Sequence, residues 1–236
     1  MKVLILGDIH GVWYYLRDAV KKAVENGCVA IIQVGDFGLM SWRMNHMDDA
    51  ALWQIVKDSP IPIYFIDGNH DDCTYWTQKS GIYRVKDNLF YIQRGTITNI
   101  ADIQFAFLGG AGSIDKDYRI RNRFHWDKCE QIATEDVSRL FTNWDNLGKP
   151  QIDVLVTHTP PNSIIQSNFD PLGKIQYGVG VDWVDPSAYV VEDVWNGLNN
   201  PLNISGHMHR SVRGPNYQIL DIGGTLILDS EDFRKE

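Results

Sequence analysis

No run of apolar residues approaches the roughly 20 needed to cross a bilayer as a helix. The N-terminal KVLIL runs straight into GDIHG, too short for the apolar region of a secretory signal. Cysteine is scarce: Cys28, Cys73 and Cys129 are scattered, with no CxxC spacing. That pattern speaks against a thiolate zinc site and against a disulfide framework, so the expectation is a cytoplasmic protein with reduced cysteines and no membrane attachment. Positive charge is also short, with 22 Lys and Arg against 30 Asp and Glu and a formal charge of −8. A sequence-independent nucleic-acid coat is therefore disfavoured, although a local basic patch could survive that balance. Internal repeats, low-complexity tracts and linkers are lacking, and the 236 residues read as one domain over 1–236.

What is present is an alternation of short apolar strands and amphipathic helices. Val3 to Leu6 reads as a buried strand ended by Gly7, and Trp13, Leu16, Val20, Ala23 and Val24 then fall at helical spacing before Gly27. VAIIQV is a second strand, residues 48–57 a helix, and IPIYFI a third strand. This rhythm predicts an α/β layered fold whose first half is largely parallel. From Leu89 the strands LFYI, TITNI and IQFAFLGG follow closely without helices, which predicts antiparallel pairing. A helix over 127–144, the strand IDVLVT, a helix over 187–197 and the strand LNIS come next, and YQILDIG with TLILDS reads as a closing hairpin. The stretch 159–186 is rich in Pro and Gly, lacks periodicity, and reads as a cap shaping a substrate pocket.

Polar residues concentrate where apolar strands end. Asp8 and His10 follow the first strand, Asp36 the second, Asn69 and His70 the third, His158 a later one, and His207 and His209 the last of the set. In α/β sheets, sites form outside the carboxyl ends of strands, so these residues are expected to converge. An HxH pair alone is more often two surface histidines in a turn. Here it has matching partners, and this oxygen and nitrogen set suits Mn, Fe, Zn, Co or Ni better than Ca or Mg. Seven of these eight side chains already exceed the needs of one tetrahedral ion and suit two ions sharing a carboxylate.

The blocks GDIHG, GDFG, GNHD, THTP and GHMH, in that order from Asp8 to His209, resemble those of the calcineurin-like metallophosphoesterase superfamily. The resemblance implies a four-layer α/β/β/α sandwich of mixed sheets. It implies that Asp8, His10, Asp36 and His209 hold one metal, and that Asp36 bridges to a second completed by Asn69, His158 and His207. His70 would face the phosphate as general acid or transition-state stabiliser, and a hydroxide bridging the metals would attack phosphorus in line. One departure is informative. Protein Ser/Thr phosphatases of the superfamily extend the second block to GDxxDRG, whereas this chain reads GDFGLM, with Leu39 and Met40 at the Asp and Arg positions. Asp71 and Asp72 become the candidates for orienting His70. The HxH ending looks more like the phosphodiesterase and nuclease branches, and a protein phosphatase is disfavoured.

In GGAGSIDKDYRIRNRFHW, Arg119, Arg121 and Arg123 recur with period two. In an extended segment they would share one face, either as a solvated edge strand or as an anion clamp. This run also resembles a segment of some small superfamily members, so the three arginines join Asn69 as candidate substrate contacts. His46 and His125 are expected at the surface. The resulting expectation is an enzyme, a dinuclear phosphoesterase using two divalent transition metals, manganese foremost with Fe, Zn, Ni or Co as alternatives. Its substrate would be a small phosphodiester or phosphomonoester, nucleotide-type first. A DNA or RNA nuclease is the next reading, and a non-catalytic binding scaffold the last.

Overall fold

The computed structural model describes residues 1–41 and 45–234. The first strand, β1 (Lys2–Leu6), is buried from Val3 onward because both of its faces are covered. Helix α1 (Trp13–Glu25) buries Trp13, Leu16, Ala19 and Ala23 along one stripe. There follow β2 (Cys28–Gln33), α2 (Ala50–Asp58), β3 (Ile63–Phe65), the one-turn α3 (Cys73–Trp76), β4 (Ile82–Lys86) and β5 (Leu89–Ile92). The Asp49 carboxylate starts α2 by accepting from the Ala51 and Leu52 N–H groups. The second half comprises β6 (Ile97–Ile100), β7 (Ile103–Leu108), α4 (Lys116–Arg121), α5 (Thr134–Asn146), β8 (Val154–Thr157), α6 (Asn162–Asn168) and α7 (Pro186–Gly197). It closes with β9 (Leu202–Ser205), β10 (Val212–Arg213), β11 (Tyr217–Ile219) and β12 (Thr225–Asp229).

Two six-stranded sheets result, ordered β12-β1-β2-β3-β5-β4 and β10-β11-β9-β8-β7-β6. In each, four central strands run parallel and the two edge strands antiparallel. Val3 and Ile5 meet Phe105, Phe107, Val154 and Ile204 between the sheets. Leu4 and Leu6 instead pack outward under α1 and α2, while Leu108 and Leu155 pack outward under α5, α6 and α7. The four layers are thus α/β/β/α, as the resemblance implies. Among the described residues, no helix is long and apolar enough to cross a membrane.

Several local expectations fail. The three strands from Leu89 are not one antiparallel run: β5 lies parallel to β3 in the first sheet, and of the three just β6 and β7 pair with each other, antiparallel in the second. The closing hairpin does not exist either, because β11 joins β9 in one sheet and β12 joins β1 in the other. The helix expected over 127–144 splits into a 3-10 turn at Lys128–Glu130 and α5. Within 159–186 the chain is less irregular than expected, forming α6 and a 3-10 turn at Pro171–Tyr177. The expectation of unpaired cysteines is also overturned. Cys73 and Cys129 are 5.7 Å apart at Cα and form a disulfide, while Cys28 is free and buried. Their separation of 56 residues left no local spacing to read.

The crossover between sheets is pinned by charge. Arg94, buried just after β5, donates from Nε and Nη2 to Asp67 Oδ2 at 3.0 and 2.5 Å, and the Tyr91 hydroxyl donates to Asp67 Oδ1 at 3.0 Å. Asp67 immediately precedes the GNHD block, so the pair fixes where that loop begins. Removing the carboxylate leaves the guanidinium buried with only the more distant Asp136 carboxylate, at 3.4 Å, to meet its charge. Asp67→Ala is expected to lower stability by about 3–5 kcal/mol in urea denaturation; a loss below about 1 kcal/mol would show that the pair does not hold the crossover.

Candidate metal centre

The parallel pairing of β1, β2 and β3 brings their carboxyl ends to one edge, and β8 and β9 of the opposing sheet end beside it. Asp8 and Asp36 lie there fully buried. The Asp8 carboxylate accepts from the His207 N–H at 3.0 Å, and its Oδ2 is 3.2 Å from His209 Nε2. The Asp36 Oδ1 accepts from the His70 N–H at 2.8 Å. Its Oδ2 hydrogen-bonds to nothing, although it lies 3.4 Å from His158 Nε2 and 3.8 Å from His10 Nδ1. Glycine permits this crowding: a Cβ at Gly206 would strike the Asp8 carboxylate and one at Gly68 that of Asp36.

The backbone is bent to aim these groups. His10, Asp36, His207 and His209 all adopt left-handed conformations, with φ of 48°, 56°, 65° and 48°. Such conformations cost a non-glycine residue on the order of 1 kcal/mol and persist where surrounding structure enforces them. In the protein without metal, His209→Gly is therefore expected to be more stable than His209→Ala by about 1 kcal/mol in thermal or urea unfolding. Equal stability of the two variants would remove the strain argument.

Two groupings share Asp36. On one side, His10 Nε2 and His209 Nε2 face each other at 3.0 Å beside Asp8 Oδ2. The donor atoms of Asp8, His10, Asp36 and His209 all lie within 4.8 Å of one another. On the other, Asn69 Oδ1 lies 3.2 Å from His158 Nε2, and the His207 ring centroid is 5.0 Å from that of His158. His158 Nδ1 bonds the Val34 carbonyl at 2.9 Å, which fixes Nδ1 as the protonated nitrogen and turns the Nε2 lone pair toward Asp36. Burial opposes charge on Asp36, yet the facing imidazoles hold it well below the usual carboxylate range. Burial likewise disfavours protonated His158, but Asp36 outweighs it and pushes the imidazole up to about 10. A divalent cation would compete with that proton for the same lone pair. The orphaned Asp36 oxygen and the two opposed imidazole nitrogens, which cannot both donate, suit cations between them.

The seven ligand candidates therefore converge, with Asn69 and the His207 ring grouped around His158. His70 is half-buried, with its ring 5.3 Å from that of His10. Burial pushes its pKa down to about 4; Asp36 opposes the shift and Arg119 adds to it. Asp71 and Asp72 do not serve it as proposed from sequence. The Asp71 carboxylate accepts from the N–H groups of Phe37, Gly38 and Gly68, tying the second block to the third, and Asp72 caps α3. Leu39 and Met40 pack into the core under α1 and α2.

The arginine triplet is corrected. Arg119 and Arg121 lie on helix α4 and Arg123 just beyond it, so Arg119 turns inward while Arg121 and Arg123 stay exposed. Alternation in a charged stretch does not distinguish strand from helix. Arg119 donates to Glu130 at 2.8 Å, to Ser113 at 2.9 Å and to Asp115 at 3.0 Å. Ser113 Oγ also donates to Glu130 and accepts from Asn69 Nδ2 at 3.0 Å, so this network turns the Asn69 carbonyl oxygen toward His158. His125 is exposed as expected, but His46 is half-buried edge-on against Trp13.

Three contributors had no strong sequence signal: Ser113, Glu130 and Asp185. Asp185 Oδ1 accepts from Gly112 and Ser187 N–H groups at 2.6 and 2.8 Å, and Oδ2 lies 3.9 Å from His207 Nε2. Ser113→Ala is expected to weaken metal uptake by the stripped protein about tenfold in calorimetric titration. Unchanged affinity would disconnect the network from Asn69.

The family model for calcineurin-like phosphoesterases matches residues 1–211. No curated protein matches the chain. Among solved structures, TT1561 of Thermus thermophilus is similar at 16% identity and TM-score 0.63, over 100% of this chain and 96% of that one. A dimetal phosphatase from Danio rerio is similar at 13% identity and TM-score 0.54, over 94% and 88%. At these identities the structures bear on the fold alone.

Proposed function

The chain belongs to the calcineurin-like phosphoesterase family, and on that basis we propose that it hydrolyses small phosphate esters with two divalent transition metals, manganese foremost. Asp8, His10, Asp36 and His209 would hold one ion, and Asp36, Asn69, His158 and His207 the other. The observation that carries this reading is Asp36 Oδ2, buried, without a hydrogen bond, and facing donors of both sets. Bound ions supply Lewis acidity to phosphoryl oxygens and acidify water.

The chain's own residues do the rest. Asp8 and Asp36 fix the negative charge that cations require, each anchored by a backbone N–H. His158 is kept in one tautomer by Val34, and Asn69 in one rotamer by Ser113. His70 borders the same cavity as Asp36, Asn69 and His209. From there its ring donates to a phosphoryl or leaving-group oxygen, which contributes typically 10²–10⁴-fold in such roles. Arg121 and Arg123 are exposed, and none of the three arginines is among the described residues that border the cavity.

The test is hydrolysis of bis-p-nitrophenyl phosphate and p-nitrophenyl phosphate by stripped protein reconstituted with Mn, Ni or Zn. Metal-dependent turnover is expected, absent in Asp36→Asn and reduced at least about 10²-fold in kcat for His70→Ala. Diester turnover would point to phosphodiesters and monoester-only turnover to phosphorylated metabolites. Turnover that survives metal removal, or full activity in Asp36→Asn, would sink the reading.

A further inference from the structure

The cavity beside the metal centre measures about 780 Å³ and is bordered on one side by Asp36, Asn69, His70, His207 and His209. Its other wall comes largely from 162–189, through Ile165, Phe169, Tyr177, Val181, Trp183 and Tyr189. That wall is apolar and largely unpartnered: Tyr177, Val181 and Tyr189 are 49%, 45% and 50% exposed. Large apolar side chains exposed together around a polar centre mark a surface that a ligand covers.

The charge of the wall is as telling as its apolarity. Asp115, Asp170, Asp182 and Asp185 border the cavity, and Lys174 is the one Lys or Arg among its described lining residues. The Lys174 ammonium donates to the Trp183 carbonyl at 2.6 Å and the Val181 carbonyl at 3.2 Å, so it fastens the cap instead of reaching into the cavity. The guanidinium of Arg210 lies over the Phe169 ring at 5.9 Å and is not among the lining residues. Negative charge on a phosphate would be met at the metals, whereas negative charge placed further out would meet the exposed carboxylates of Asp170 and Asp182, and like charges repel.

We propose that this wall makes the cavity a subsite for a flat, apolar leaving group that carries no negative charge. The inference rests on the phosphoesterase reading for its polar end and on the cap alone for its apolar end. It favours esters of an aromatic or heteroaromatic alcohol or an uncharged nucleoside, and disfavours polyphosphates and nucleic-acid strands, whose next phosphate would fall against the acidic wall.

Non-hydrolysable phosphonates separate the two ends, because their binding does not depend on turnover or leaving-group chemistry. Calorimetric titration of the Mn-loaded protein would compare methylphosphonate, benzylphosphonate and 4-carboxybenzylphosphonate. Benzylphosphonate is expected to bind about tenfold tighter than methylphosphonate, and the added carboxylate to remove most of that gain. In Trp183→Ala the ratio of methyl to benzyl Kd should fall toward one, and Asp182→Asn should restore part of the carboxybenzyl affinity. Equal affinity for methyl- and benzylphosphonate, tighter binding of the carboxylated ligand, or no binding of any of the three would overturn the proposal. Selective phosphonate binding without turnover of any ester would uphold the subsite and refute the hydrolase. Turnover of esters without phosphonate preference would do the reverse.

Discussion

Two carboxylates buried at the ends of neighbouring strands set the terms for everything around them. Taking a carboxylate out of water costs several kcal/mol unless its charge is met. Asp8 and Asp36 meet it with backbone N–H groups from His207 and His70 and with a ring of imidazoles. That demand explains why glycines stand where any side chain would collide with the carboxylates. It also accounts for left-handed backbone at Asp36 and at His10, His207 and His209 around the pair. The protein keeps these energetically costly features together at one rim, where a cation would relieve several at once.

The rim exists because two sheets are aligned end to end as well as face to face. Asp8, Asp36 and Asn69 come from one sheet, while His158 and His207 come from the other. The contact that joins them is direct: His158 holds the Val34 carbonyl of the opposite sheet, and within its own sheet its carbonyl is held by the Gly206 N–H. The Arg94–Asp67 pair does the same for the crossover, and the Cys73–Cys129 bond ties the segment after His70 to the turn that carries Glu130. Ligand geometry is therefore a property of sheet packing, not of any loop alone.

Much of this was legible in the sequence where a short apolar strand ended at once in a polar residue. KVLIL, VAIIQV and IDVLVT are largely apolar because most of each is covered on both faces, and the change to Asp or His marks the rim. What could not be read was anything decided by partners far along the chain. The local pattern of LFYI or TLILDS does not say which sheet a strand will join. Arg119, Arg121 and Arg123 alternate equally well on paper in a strand or a helix, and a single buried helical turn reversed the reading. Ser113, Glu130 and Asp185 are ordinary polar residues until tertiary approach places them behind Asn69 and His207. The disulfide was hidden for the same reason.

The placement of β12 has a consequence for the order in which the centre can assemble. The N–H that holds the Asp8 carboxylate belongs to His207, 199 residues further along the chain. The Gly223 N–H holds the Asp8 carbonyl, the Gly7 N–H reaches the Gly224 carbonyl, and β12 covers the open edge of β1. The Asp8 carboxylate and carbonyl are thus held only once the segments carrying His207 and Gly223 have folded back onto the end of β1. The candidate metal centre is in this sense complete only once β12 has docked.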